Sequence, residues 1–348
     1  MFLFLFSLIP SVSFSHDDIK IVAGPYLQNV GENEITIMWV TSEETKDNRV
    51  YYGIHDLDNT VKENKEGKIH EVMLSPLSPN STYIYMVSSD GVKSKTYHFK
   101  TSSQNQSNFK FIVYGDSRGM WDGWKNAGKV ARAIENEEAN FVISTGDMVG
   151  NGMDEDQWIS FLSTSSFMHN TTLYPTVGNH DLPSLDICRY FSIPNETWYS
   201  FDYGIVHFTI INSNTPYIFS PFQFLWLMKD LHCKNRWKFV VFHHPPYSSG
   251  EHGNNTFLRL LLPLFKMDGV DAIFNGHDHD YEHIKVWKMT FIVSGGGGAP
   301  LYRVGKSPWT IFSSSSYHYC RVNVSYSFLH FTVLKPDGEI LEEFEMAK

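Results

Sequence analysis

The sequence predicts an all-β sandwich followed by an α/β domain with two sheets, and three observations carry that prediction. Residues 19–103 hold short runs that alternate apolar and polar side chains between turn residues. A polar stretch, Ser102 to Asn108 (SSQNQSN), then breaks the pattern. Beyond it apolar strands alternate with helical segments, and successive strands stop at short motifs rich in Gly, Asp, Asn and His.

In the front segment Ile35 to Val40 (ITIMWV) alternates cleanly, and Arg49 to Tyr52 and His70 to Leu74 read as further strands. Thr82 to Val87 and Lys95 to Lys100 flank the turn Ser89 to Gly91. Trp39 and Tyr85 are expected in the core of this sandwich. Gly24 to Gln28 (GPYLQ) and Leu77 to Tyr83 (LSPNSTY) resemble parts of a fibronectin type III-like module. Such a module by itself predicts no chemistry.

The second domain opens with a buried strand, Phe109 to Tyr114, that runs into Gly115-Asp116-Ser117-Arg118. A helical stretch follows with Ala127, Val130, Ala131 and Ile134 on one face. Phe141 to Ser144 ends in Gly146-Asp147, and a helix around Trp158, Phe161 and Leu162 leads to Leu173 to Thr176 and Gly178-Asn179-His180-Asp181. Tyr199 to Tyr203 and Val206 to Ile211 form a hairpin about Gly204. A helix over Pro221 to Leu231 returns to the strand Trp237 to Phe242, and a helix over Phe257 to Phe265 precedes the strand Val270 to Phe274. Three late strands, Phe291 to Ser294, Tyr319 to Val324 and Phe328 to Leu334, are expected to form a second sheet packed on the first. In crossover α/β sheets the strand C-termini share one edge, so these motifs are expected to meet there.

Composition narrows the function classes. With 348 residues, 42% hydrophobic and 19% charged, the chain can pack one large domain and one small one and is not a disordered segment. A net charge of −10 without any Lys/Arg block argues against binding a nucleic-acid backbone. Residues 2–14 (FLFLFSLIPSVSF) are uncharged and apolar, with Ser13 and Ser15 just ahead of His16. They read as a signal peptide over 1–15, which implies a secreted, periplasmic or extracellular protein. No later apolar run is long enough for a transmembrane helix. Cys188, Cys233 and Cys320 form no metal-knuckle pattern, and either one disulfide with a free thiol or three free thiols fits them. Sequons stand at Asn80, Asn105, Asn170, Asn195, Asn254 and Asn323.

The strand-end motifs present Asp116, Asp147, Asn179, His243, and His277 with His279 in the stretch NGHDHDYEH. Carboxylates, one amide oxygen and imidazoles without any thiolate suit Zn, Mn or Fe better than a structural zinc site. A carboxylate can bridge two cations, and two ions about 3.5–4 Å apart generate hydroxide near neutral pH and stabilise in-line displacement at phosphorus.

The ordered string GDSR, GDMV, GNHD, VVFHHPPYSSG and GHDHDYE resembles the calcineurin-like metallophosphoesterases. With the β-sandwich in front it is similar to their purple acid phosphatase branch. The resemblance implies an αββα catalytic domain over 109–346, behind a fibronectin type III-like domain over 19–103. It implies hydrolysis of phosphate monoesters, a small phosphorylated substrate, by a hydroxide held on two divalent or trivalent ions (Fe, Zn or Mn). Asp116 and His279 would hold the first ion, Asp147 would bridge, and Asn179, His243 and His277 would hold the second. His180 would orient or protonate the phosphate. His252, nine residues past His243, falls where the family carries a substrate-contacting or acid histidine, although it also reads as an exposed loop residue. A phosphodiesterase acting on a nucleotide or other small diester is the alternative enzyme, and a catalytically weak surface binding protein the alternative of another class.

Two positions depart from the purple pattern. Gly150 stands where a tyrosine ligand follows the bridging aspartate, which removes the strongest preference for iron(III). Arg118 stands where that branch has glycine and many relatives have a ligand histidine. A permanently protonated arginine cannot ligate a metal, so it either grips a phosphate oxygen or holds a neighbouring carboxylate. Around this set, His244 is expected to alternate away from the metals and His283 to be packed or exposed. Trp121 and Trp124 are expected to pack on a helix face, and Ser294 to Pro300 (SGGGGAP) to form a tight loop supporting the site.

Overall fold

In this computed structural model, which describes residues 19–103, 106–182, 186–194 and 197–348, the alternating front segment sorts its apolar side chains between two sheets. The expected signal stretch over 1–15 and the sequons at Asn105 and Asn195 lie outside the described residues. The front strands are β1 (Ile21–Gln28), β2 (Ile35–Thr45), β3 (Asn48–Gly53), β4 (Asn59–Lys62), β5 (Gly67–Leu74), β6 (Thr82–Ser89), β7 (Val92–Lys93) and β8 (Tyr97–Lys100). One sheet runs β1-β2-β5 and the other β4-β3-β6-β7, with β8 also on β6. Leu27, Ile37, Trp39, Val50, Tyr85 and Phe99 fill the space between them. Trp39 and Tyr85 are fully buried, and the Trp39 indole N–H donates to the Ser89 hydroxyl at 2.8 Å. Each buried polar tip therefore has a partner, since the Tyr85 hydroxyl reaches the His169 carbonyl of the second domain at 2.6 Å.

The second domain contains β9 (Phe109–Tyr114), β10 (Phe141–Ser144), β11 (Thr172–Pro175), β12 (Tyr199–Tyr203), β13 (Val206–Ile210), β14 (Trp237–Val241) and β15 (Ala272–Asn275). It continues with β16 (Tyr281–Val286), β17 (Met289–Ser294), β18 (Thr310–Ser314), β19 (Tyr319–Val324), β20 (Phe328–Leu334) and β21 (Ile340–Ala347). Its helices are α1 (Lys125–Glu135), α2 (Glu155–Thr164), α3 (Ile187–Tyr190), α4 (Pro221–Asp230) and α5 (Leu262–Met267). One sheet runs β11-β10-β9-β19-β20-β21 and the other β12-β13-β14-β15-β17-β16-β18.

The late strands do not form the second sheet together. β19 pairs antiparallel with β9, Cys320 opposite Val113, so β19 and β20 extend the first sheet, and only β17 joins the second. Strand periodicity fixes which face is buried but not which neighbour is chosen. The helix expected over 257–265 is a 3-10 segment, Thr256–Leu261, leading into α5.

The two sheets face each other across an aromatic core that includes Phe111, Phe141, Phe208, Phe239 and Phe274. The buried face of α1 is the predicted set of Ala127, Val130, Ala131 and Ile134, and it packs on the outer side of the first sheet with α2. On the outer side of the second sheet lie α4 and α5 with Leu227, Leu262 and Phe265. Helix, sheet, sheet, helix is the layer order. The front domain docks onto the first outer layer, where Tyr26 and Met38 share a core with Trp158 and Phe191. No disulfide forms among the described residues; Cys320 is buried, and Cys188 and Cys233 are half-buried. Among the described residues no helix is long and apolar enough to cross a membrane.

Candidate metal centre

Parallel strands β9, β10 and β11 in one sheet and β14 and β15 in the other end at a common edge, and the functional side chains lie just past those ends. The chain must turn sharply there. Asp116, Asp147 and His277 all take left-handed backbone conformations, with φ of 55°, 53° and 71°. Non-glycine residues rarely adopt that region, and such strain concentrates at functional sites. Fixed hydrogen bonds hold it: Asp116 N–H donates to the Gly146 carbonyl at 2.8 Å, and His277 N–H donates to Asp116 Oδ2 at 3.0 Å. A Cβ at Gly178 would collide with the Asp147 carboxylate, and one at Gly276 with that of Asp116. Glycine is needed at both positions because backbone and ligand approach so closely.

At one end of the cleft four acceptors converge. The Nδ1 of His243 lies 2.9 Å from the Thr145 carbonyl, so it carries the proton and Nε2 presents its lone pair. That lone pair faces Asn179 Oδ1 at 3.1 Å, His277 Nδ1 at 3.3 Å and Asp147 Oδ1 at 3.4 Å. Ligand atoms of Asp116, Asp147 and His243 all fall within 4.8 Å of one another. Asp116 Oδ1 and Asp147 Oδ2, which face His279 and Arg118 rather than His243, are buried with no hydrogen-bond partner among the described residues. Buried acceptors pointing at each other are costly unless a cation lies between them. The set around His243, where Asn179 Oδ1, His277 Nδ1 and Asp147 Oδ1 converge on Nε2, therefore fits a metal ion.

The electrostatics agree. Burial pushes the Asp116 carboxyl well above the usual range, with the charge of Asp147 adding to the shift. Burial also disfavours the charged form of Asp147, but His243 and Arg118 outweigh it and hold that carboxyl low. Burial depresses His243, yet the charges of Asp147 and Asp116 win and raise it to about 9. Those two carboxylates thus attract a cation to this imidazole. Burial and neighbouring His243 depress His277, while burial lowers His279 to about 4, so both are neutral, as ligands must be.

The other end of the cleft is built differently. His279 Nδ1 lies 2.7 Å from the Pro300 carbonyl, which makes Nδ1 the donor and Nε2 the lone pair. Asp116 Oδ1 is 3.5 Å from that Nε2. Arg118 Nη2 is 3.0 Å from it, and Arg118 Nη1 is 3.8 Å from Asp147 Oδ2. Tyr302 stacks on the His279 ring with centroids 4.0 Å apart.

A model of the calcineurin-like phosphoesterases matches residues 109–281, and one of the purple acid phosphatase N-terminal domain matches residues 23–101. The chain is a calcineurin-like phosphoesterase of the purple acid phosphatase branch. It is 26% identical to purple acid phosphatase 21 of Arabidopsis thaliana, across 86% of this chain and 78% of that one. Its structure is similar to a purple acid phosphatase from yellow lupin, with a TM-score of 0.79 and 21% identity over 93% of this chain and 74% of that one. It also resembles GAP50, described as the anchor in the inner membrane complex of Plasmodium, with a TM-score of 0.60 and 21% identity over 70% and 89%. At such identities the two structures speak for the fold alone.

Relative to the purple acid phosphatase pattern, the missing tyrosine leaves no open space. A Cβ at Gly150 would run into the Met120 sulfur, so the segment after Arg118 fills that position. Trp121 is exposed and lies under the Arg118 guanidinium, 5.2 Å away, while Trp124 packs toward Phe161. The expectation of helix-face packing therefore fails for Trp121, which is exposed in the turn ahead of α1, while Trp124, the residue that caps α1, turns inward against Phe161 of α2.

Of the other expected residues, His180 donates its N–H to Asp147 Oδ1 at 2.9 Å and its Nδ1–H to the Gly150 carbonyl at 3.0 Å. His252 is exposed, yet its ring stacks on His277 with centroids 4.4 Å apart. His283 packs on Phe344 away from the cleft. The glycine-rich loop supports the ligands through Gly297 N–H to the Gly115 carbonyl and Ala299 N–H to the Asp116 carbonyl.

His244 corrects an expectation. It lies beyond the end of β14, where strand alternation no longer applies, and its ring turns inward to 4.5 Å from that of His277. It lines a cleft of about 340 Å3 together with Asn179, Ser213 and Asn214. A larger cavity of about 790 Å3, between α1 and residues 315–317 and 335–337, is remote from the ligands.

Asp181 has a role that the sequence pattern alone does not assign. Its carboxylate accepts the backbone N–H groups of Asp147, Met148, Val149 and Gly178, which fixes the turn that aims Asp147. Its place in the GNHD motif was the available signal.

Proposed function

We propose that this chain hydrolyses phosphate monoesters in a metal-dependent reaction, with a metal held by Asp147, Asn179, His243 and His277. The observation that carries the reading is the His243 Nε2 lone pair facing three further acceptors at 3.1–3.4 Å. A metal bound there supplies Lewis acidity to the phosphoryl group and lowers the pKa of adjacent water. Zn, Mn and Fe suit the donor set, and Gly150 removes the tyrosinate that would single out iron(III).

The remaining roles fall to groups of the chain itself. His180 has Nδ1 tied to the Gly150 carbonyl, which leaves the lone pair on Nε2 to exchange a proton with the phosphate. The backbone N–H of His252 is anchored on Asp278 Oδ1 at 2.7 Å, which places an exposed imidazole beside His277 for proton delivery to the leaving oxygen. Asp116 and His279 line the opposite end of the cleft, where Arg118 also lies.

The test is hydrolysis of an aryl phosphomonoester and its matching diester, before and after chelation and after resupply with Zn, Mn or Fe. Monoester turnover should dominate, vanish on chelation and return with metal. A higher diester rate would move the substrate class, and turnover surviving complete metal removal would sink the metal-dependent reading.

A further inference from the structure

The resemblance expects two ions, but the two ends of the cleft do not fit a cation equally. On the Asp116–His279 side a cation is already present. The Arg118 side chain is buried, and Nη2 points at the one lone pair that His279 has left after donating Nδ1–H to Pro300. Zinc takes an imidazole nitrogen at about 2.0–2.1 Å, so an arginine N–H and a metal cannot share that lone pair. Nη1 is also turned toward Asp147 Oδ2, the oxygen left over when Oδ1 faces His243. The segment carrying Arg118 is pinned, since its backbone N–H donates to the Asp147 carbonyl at 3.3 Å and its guanidinium lies over Trp121.

Charge counting points the same way. Asp116 and Asp147 provide two formal negative charges between them. One divalent ion together with Arg118 already exceeds that, and a second ion would sit against a guanidinium that never loses its proton. The tyrosinate that could offset such an excess is replaced by Gly150, with Met120 filling its position.

We infer that the centre binds one metal ion per chain, on the His243 side, with the Arg118 guanidinium standing where the other ion would be. This rests on the reading of the cleft as a metallophosphatase site. Arg118 then contributes a fixed positive charge next to the phosphoryl group, and its Nε has no hydrogen-bond partner among the described residues.

The experiment is metal stoichiometry on the full chain, by calorimetric titration and elemental analysis, with Mn(II) paramagnetic resonance as a second readout. Wild type should bind one tight ion and give the signal of an isolated Mn(II). Arg118→Gly should bind two and give an exchange-coupled signal. Two coupled ions in active wild type would overturn this proposal and leave the phosphatase reading intact. A folded Arg118→Gly that still binds one ion would overturn the role given to Arg118. Absence of both tight metal binding and turnover would remove the phosphatase reading and this inference together. The wild-type stoichiometry decides the matter even where the variant does not fold.

Discussion

The two ends of the cleft share Asp147 and both present imidazole nitrogens, His243 and His277 with Asn179 at one end and His279 with Asp116 at the other, yet they differ in charge balance. Around His243 the acceptor atoms of an imidazole, an amide and a carboxylate converge with no arginine or lysine among them. Around His279 a buried guanidinium already occupies the lone pair. Ligand identity is therefore not enough to define a metal site; the nearest long side chain decides whether the donors are available. This comparison predicts unequal mutants. His277→Ala should lose most bound metal and more than about 100-fold in turnover, exceeding the roughly 10–100-fold cost of losing a group that only orients a ligand. His279→Ala should keep its metal content and lose only about 10-fold in turnover, because it supports Arg118 rather than an ion. Elemental analysis of both variants checks this, and equal metal loss in the two would erase the distinction between the ends.

A smaller effect should come from the group behind Asp147. Asp181→Asn keeps an acceptor oxygen but cannot match a carboxylate that receives four backbone N–H groups. Metal affinity, read by competition with a chromogenic chelator, should fall by about 10-fold or more while substrate KM stays unchanged. A variant with unaltered affinity would mean that the turn aims Asp147 without this carboxylate.

Much of this architecture is legible in the sequence, for a physical reason. Strand, glycine and ligand are adjacent in the chain, so Asp116, Asp147, Asn179, His277 and their flanking glycines can be read as local motifs at a predictable sheet edge. Pairing between distant strands is not local. The late strands Tyr319–Val324 and Phe328–Leu334 show the right alternation, but nothing in it reveals that β19 lies against β9. The same limit hid Arg118. Its position beside the cleft follows from GDSR, but which lone pair a flexible four-bond side chain reaches depends on Pro300 fixing the His279 tautomer, far away in sequence. Strand alternation does not carry past the end of β14 to His244, and helical periodicity does not reach Trp121 ahead of α1, so neither side chain follows the pattern of its neighbouring element.

The smallest predicted effect supplies a control for the charge argument, from a histidine flanked by carboxylates that has no part in the cleft. His207 Nδ1 lies 2.7 Å from Asp202 Oδ1 and Nε2 lies 3.0 Å from Asp230 Oδ2, so both ring nitrogens face acceptors. Burial disfavours the charged ring, but hydrogen bonds to Asp202 and Asp230 outweigh it and raise His207 to about 10. Here a proton plays the part proposed for a metal at His243. Because the folded value lies above the unfolded one of about 6.5, the folded chain binds the proton more tightly. The stability it contributes is complete below about pH 6.5 and is lost as pH rises through about 10. Asp202 is largely exposed, so solvent screening keeps the gain small, on the order of 1 kcal/mol or about 2 °C in Tm. His207→Gln should flatten the decline of Tm between pH 6.5 and 9.5, equally with and without chelator. A slope that changes only after metal removal would tie His207 to the metal centre and undo its use as a control.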